Sequence, residues 1–377
     1  MMRTPIRMLC GAVAALSLSF TGAAFAQIRI GQTSALTGPA ASAVSEINIG
    51  AKLYLNAVNA EGGINGQSIE LVSMDDNNKA AAASDNAAQL IADQRVVALF
   101  LSRGTPQTQA ILPHLATGRI PLIAPSTGAM VLHNPVNPWV FNVRASYQRE
   151  AEAVVRHLGL TGLDKVALLY VNDSFGEDAI QGAMKVFKQA SVTPALVQSF
   201  DRDKPDYASV IPKLTQLKPL GIVIVGSPTS VAAGIKAIRA AGLRATVATL
   251  SNNAAAGFVT ALGEDASSVI VSQVFPSERR LAVPMIAEAS RLAAAQKVTQ
   301  LTSAMIEGFA AAKVLVAGLR RAEKESKVIT RQSLKRGLES LERFDIGGLE
   351  ISYSASDHSG LDFADLSMIA ADGSFRR

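Results

Sequence analysis

The chain has 377 residues, 49% of them hydrophobic and 18% charged, with one cysteine and a formal net charge of +5. That length predicts two domains at the usual ~100–200 residues each, both large enough for a substantial core. The charge is too weak for a nucleic-acid binder: the densest basic stretch, Arg320 to Arg343, interleaves Glu323, Glu325, Glu339 and Glu342 and reads as a solvated helix face.

The first residues read as an export segment. Arg3 and Arg7 precede the apolar run Leu9 to Phe20, and Ala24-Phe25-Ala26 is a small-x-small cleavage site. The run is short for a membrane span. Cys10 follows Leu9, where a lipoprotein signal would carry a small residue. Cleavage after Ala26 would leave residues 27–377 as the mature chain, without cysteine and therefore without disulfides or thiol chemistry.

Next comes a βαβ unit. Ile28 and Ile30 open a strand that runs into the loop Ser34-Ala35-Leu36-Thr37-Gly38-Pro39. A helix with Ile49, Leu53, Leu55 and Val58 as its apolar set ends at Gly62-Gly63, and a second strand, Ile69 to Met74, closes on Asp75-Asp76. Strand-like runs then alternate with helical ones: Val96–Leu101, Pro121–Ala124, Val166–Val171, Ala195–Phe200, Gly221–Val225, Thr246–Leu250 and Val269–Val274. Amphipathic segments such as Ala151–Leu158, Asp178–Gln189, Val231–Ala241 and Ala304–Arg320 lie between them. This is the signature of α/β folding, with parallel sheets covered by helices on both faces. The rhythm changes at the end, where Phe344–Tyr353 and Asp365–Ala371 read as two strands of a hairpin-like addition to a sheet edge.

Two strand ends carry a helix-start signature. Val96–Leu101 passes through Ser102-Arg103-Gly104 into Thr105-Pro106, and Gly221–Val225 passes through Gly226 into Ser227-Pro228. Thr or Ser before Pro predicts an N-cap followed by N1. Each places unpaired N–H groups at the carboxyl end of a parallel strand, where anions are held readily. Arg103 adds a guanidinium suited to a carboxylate. Ser174 with Glu177 reads as a capping box.

The succession of strand, LTGPAA, helix, NAEGGINGQSIEL and DD resembles the type I periplasmic binding proteins of ABC importers, in their leucine/isoleucine/valine-binding branch. The resemblance implies two Rossmann-like lobes with parallel sheets, joined by a hinge that the chain crosses three times. Lobe 1 would comprise residues 27–145 plus 275–341, and lobe 2 residues 146–274 plus 342–377. It further implies a periplasmic, monomeric protein that captures a small amino acid or other organic acid between its lobes and delivers it to membrane permease subunits of an ABC transporter. Pro125-Ser126-Thr127-Gly128 is similar to the family loop that grips the ligand carboxylate, with Ser126 and Thr127 in comparable places and Gly128 where the family has threonine. Phe175 stands where the family places an aromatic wall, and Tyr147 is a second wall candidate. The loop that supplies an acid for a ligand ammonium in the family matches Leu250-Ser251-Asn252-Asn253, which has none; Asp173 and Glu46 are possible substitutes. The expected ligand-binding set is therefore Ser102, Arg103, Gly104, Thr105, Ser126, Thr127, Tyr147, Phe175, Ser227 and Asn252.

Catalytic patterns are missing. His114, His133, His157 and His358 are scattered, and no G-x-S-x-G, G-x-G-x-x-G or Walker sequence occurs. No enzyme activity, metal or cofactor is expected. A ligand sensor feeding a separate receptor is the alternative within the same fold, and a Rossmann-type enzyme the alternative outside it.

Overall fold

The computed structural model describes residues 27–377; the expected export segment lies outside the described residues. The chain begins β1 (Ile28–Ser34), α1 (Ala41–Ala60), β2 (Ile69–Asp75), α2 (Ala80–Ala92), β3 (Val96–Phe100), α3 (Thr105–Gly118), β4 (Leu122–Ile123) and β5 (Val140–Phe141). The five strands form one parallel sheet in the order β2-β1-β3-β4-β5. The chain then repeats itself with α4 (Tyr147–Leu160), β6 (Val166–Val171), α5 (Ser174–Gln189), β7 (Leu196–Phe200), α6 (Ile211–Leu217), β8 (Gly221–Val225), α7 (Pro228–Ala240), β9 (Thr246–Thr249), α8 (Ala256–Leu262) and β10 (Ile270–Gln273). The parallel part of this sheet runs β7-β6-β8-β9-β10, the same order strand for strand. Both sheets therefore reverse their winding at their own first strand, and the crevice beyond the carboxyl ends at such a point is where α/β sheets bind ligands.

Central strands are apolar on both faces, as sheets covered by helices require: Val96–Phe100 and Gly221–Val225 are buried throughout. Each sheet has its own core. Ile30, Phe100, Ile123 and Phe141 belong to one, and Leu168, Ile222, Val223 and Val247 to the other. Helices α9 (Pro284–Ala295), α10 (Ser303–Glu325) and α11 (Arg331–Glu339) return to the first core, where α10 packs along α1. Ile49, expected on the buried face of α1, is 36% exposed; Gly50 and Ala51 take the seat against α10 instead.

The C-terminal segment departs from expectation. Residues 344–353 form a small hairpin of their own, β11 (Phe344–Asp345) with β12 (Glu350–Ile351). The turn is made by Gly347 and Gly348, both at positive φ, whose N–H groups donate to Asp345 Oδ1. Ile346, Ile351, Tyr353 and Leu361 are buried in the first core, not the second, and the Tyr353 hydroxyl donates to the Asn142 carbonyl. Only β13 (Asp365–Ile369) and β14 (Phe375–Arg376) join the second sheet, antiparallel on β10. The assignment of 342–361 to the second lobe is thereby corrected: its apolar side chains complete the core around Phe141 and Met285. No helix among the described residues is long and apolar enough to cross a membrane.

Candidate functional site in the interlobe cleft

The carboxyl ends of the two sheets face each other across a cleft lined by Pro39, Ala40, Asn78, Arg103, Gly104, Thr105, Ser126, Tyr147, Phe175, Arg202, Ser227, Pro228 and Asn252. Eight of the ten residues expected from the sequence are brought together here. Ser102 and Thr127 stand one layer behind. Ser102 Oγ lies 3.0 Å from Thr108 Oγ1 and ties its loop to α3, and Thr127 Oγ1 lies 2.8 Å from Thr105 Oγ1 and ties the loop after β4 to the start of α3.

The first-lobe loops are delivered by strained turns. Leu101 and Ala124, just past β3 and β4, have φ of +52° and +51°, a region that side-chain-bearing residues enter at a cost. The Ser126 N–H donates to the Ser102 carbonyl at 2.7 Å and locks the two loops in parallel. Gly104 caps α3 at φ +89°, where a Cβ would lie 2.2 Å from Gln107 Oε1. The expected cap at Thr105 is thus displaced by one residue, and the Thr105 hydroxyl is freed to meet Thr127. A Cβ on Gly128 would lie 2.6 Å from the Ala145 carbonyl oxygen, so the threonine expected from the family does not fit here.

Arg103 crosses the cleft. Its Nη1 donates to Ser126 Oγ at 3.0 Å, and its Nη2 donates to the Asn252 carbonyl of the other lobe at 2.9 Å. The Ser126 hydroxyl in turn donates to Glu307 Oε1 at 2.7 Å. Ser126 therefore spends its proton on Glu307 and its lone pair on Arg103, holding the guanidinium in place. Arg103 is 7% exposed, and among the described residues no carboxylate lies within 4.0 Å of it. The equally buried Arg144 is paired directly with Glu150.

The second lobe supplies the other wall. Ser227 caps α7, its Oγ accepting from the Ser230 N–H, as the sequence predicts. Tyr147 and Phe175 pack with ring centroids 4.6 Å apart, and the Arg144 guanidinium lies 4.6 Å over the Tyr147 ring. Burial raises the Tyr147 pKa, with Arg144 and Arg103 opposing it, so its hydroxyl stays protonated at neutral pH. Asn252 donates through Nδ2 to the Gly226 carbonyl at 2.9 Å and leaves Oδ1 buried without a partner.

The capping box at Ser174 gives way to Asp173, whose Oδ1 accepts from the Phe175 and Gly176 N–H groups. Both substitutes for the missing acid are engaged elsewhere. Asp173 Oδ2 receives Arg202 at 2.5 Å, and Glu46 Oε1 receives the Ala256 N–H at 2.9 Å. Arg202, Asn78, Pro39 and Ala40 line the cleft without having been singled out. Arg202 lay within reach of the strand-end rule, since it follows β7 as Asn78 follows β2. Glu307, 181 positions from Ser126, left no signal in the sequence.

The gap between these walls has a volume of ≈ 40 Å³, close to one water molecule. A wider groove of ≈ 980 Å³ lies at the amino ends of the first sheet, around Gln27, Trp139 and Arg331. There Arg331 donates to the carbonyls of Val96, Gly118, Ile91 and Asp93, so its guanidinium closes strand and helix ends.

Residues 27–371 match the family described as periplasmic binding protein. A relative from Brucella melitensis biotype 1, Leu/Ile/Val-binding protein homolog 3, is 23% identical over 223 residues, 58% of this chain and 59% of that protein's own length. A substrate-binding periplasmic protein from Ralstonia solanacearum has a similar structure, with TM-score 0.82, 28% identity and coverage of 92% of this chain and 99% of that one. The fold likeness extends to a branched chain amino acid ABC transporter protein from Thermus thermophilus with bound valine, at TM-score 0.78, 18% identity and coverage of 93% and 94%.

Proposed function

The chain belongs to the type I periplasmic binding proteins, in the Leu/Ile/Val-binding family, and from that premise we propose that it captures a small carboxylate-bearing molecule in the interlobe cleft and presents it to the permease of an ABC importer. It is a binding protein of this family, not an enzyme. The periplasm is the compartment in which such a protein meets both its ligand and its permease.

The observation that carries the ligand reading is Arg103. A guanidinium buried without a carboxylate is costly, and an anion bound beside it supplies the missing charge. Thr105, Tyr147 and Ser227 line the same gap. Function then comes from closure of two lobes on the ligand, with no bond made or broken.

Calorimetric titration of the chain from Gln27 onward against amino acids, organic acids and sugars tests this. A carboxylate is expected to bind tightest. Arg103→Ala is expected to weaken it by about 1.5–3 kcal/mol, the worth of hydrogen bonds to charged groups. An uncharged sugar as the best ligand, or a carboxylate indifferent to Arg103→Ala, would overturn the reading.

A further inference from the structure

We propose that the ligand carries two acidic groups and no ammonium, held at one end by Arg103 and at the other by Arg202. This rests on the carboxylate reading above and narrows it. Among the thirteen residues that line the cleft two are arginines, one from each lobe, and none is aspartate or glutamate. An amino acid brings one anion and one cation. The lining offers the cation no carboxylate, and the nearest acids are spent on Arg202, Ser126 and the Ala256 N–H. Asn252, where an ammonium would look for charge, presents only a neutral amide oxygen.

Arg202 is built for the second anion. It follows β7, and its Nε and Nη2 both lie 2.5 Å from Asp173 Oδ2. That contact fixes the guanidinium plane. Among the described residues Nη1 has no protein acceptor, so one edge of the fork is left for a ligand in the cleft it lines. Arg103 spends Nη1 and Nη2 on a serine hydroxyl and a peptide carbonyl, neutral acceptors that a carboxylate outbids. Two cations from opposite lobes also explain how binding and closure are coupled. A diacid bridges them, whereas a monoacid satisfies only Arg103 and leaves Arg202 with Asp173 alone.

The test is calorimetric titration of the chain from Gln27 onward with straight-chain diacids of three to six carbons, the matching monoacids, leucine, valine and glutamate. A diacid is expected to bind tightest. Arg202→Gln should weaken that diacid roughly tenfold or more, and leave a monoacid within about twofold. Asp173→Asn, which keeps the α5 cap, frees the Arg202 fork and should tighten the diacid. A circular-dichroism melt of each variant shows that it is folded. The proposal falls if an amino acid outbinds every diacid, if no diacid binds, or if folded Arg202→Gln binds the diacid unchanged. In the first and third cases an Arg103-dependent carboxylate still supports the proposed function; if nothing in this panel binds and only a sugar does, both fall.

Discussion

Four charged side chains in the middle of this molecule are almost wholly removed from water, and they are connected. Arg144 pairs with Glu150 and lies 3.9 Å from Glu307, which receives Ser126, which receives Arg103. Glu150 Oε2 also accepts from the Ser251 N–H at 2.9 Å. Removing one partner of such a pair leaves the other charged and dry. Glu150→Ala is therefore expected to cost about 3–5 kcal/mol, read as a shift in the urea midpoint at unchanged slope. A loss below about 1 kcal/mol would mean that water reaches Arg144. Asp76 is a second case. It is fully buried at the end of β2, and burial pushes its carboxyl up to about 6, against the opposing hydrogen bonds from Asn78 and Thr33. The folded protein then holds a proton that the unfolded chain has released, and stability falls as pH rises between about 4 and about 6. His133 has the opposite sign: burial first, then Arg144, pushes it down to about 4, so its stability is lost as pH falls. Comparing Asp76→Asn with the parent cancels the histidine contribution. The variant's relative stability should climb across that window and level off above about 7; a flat difference would show that Asp76 titrates normally.

At the scale of elements, helices meet backbone to backbone through glycine. A Cβ on Gly50 of α1 would lie 1.8 Å from the Met305 carbonyl oxygen of α10, and one on Gly308 of α10 would lie 1.8 Å from the Ile47 carbonyl oxygen of α1. The second lobe repeats the device, with Gly182 of α5 against the Gln148 carbonyl oxygen of α4 at 2.1 Å. Gly308→Ala must push two packed helices apart, and about 1–3 kcal/mol or more of stability should go with it. Gly159, also helical, has nothing within 4 Å of its Cβ position, so Gly159→Ala should stabilise by roughly 0.5–1 kcal/mol. Thermal melts of the two variants should move in opposite directions. Sequence reasoning reached the sheets because their strands are short apolar runs buried on both faces; Val166–Val171 and Gly221–Val225 were legible residue for residue. It reached the Ser227 cap, which depends on neighbouring residues alone. It misplaced the caps at Thr105 and Ser174, because those depend on the backbone torsions of Gly104 and Asp173. It placed 342–361 in the wrong lobe because the burial of Tyr353 beside Phe141 is decided by contacts two hundred positions apart. The charge of Arg103 was legible; its tether through Ser126 to Glu307 was not, for the same reason.

Across the whole molecule the two lobes are linked by hydrogen bonds around the cleft and by the close approach of α8 to α1, where Ala255 joins the first core. Arg103 reaches the Asn252 carbonyl, the Ala256 N–H reaches Glu46, and the Met130 N–H reaches Asp178 at 3.1 Å. The gap left between them, ≈ 40 Å³, admits about one water. Any ligand of several heavy atoms therefore enters only when the lobes part, and is held when they close onto it in an arrangement wider than this one. The equilibrium between the two arrangements is set by how much more the ligand contacts the closed one. Glu46→Ala removes an interlobe bond without touching the cleft lining. It should expand the ligand-free protein in small-angle scattering, and it should weaken affinity by up to about tenfold, because part of the binding energy is then spent on closure. Saturating ligand should still restore the compact profile. Phe175→Ala with Ser227→Ala acts differently, since it strips the second-lobe wall of the contacts that reward closure. That double variant should weaken affinity and stay expanded even when saturated through Arg103. If the parent protein scatters identically without ligand and with tight ligand, and Glu46→Ala changes neither, closure is not how occupancy reaches a permease, and the cleft must fill by a local motion of Arg103 alone.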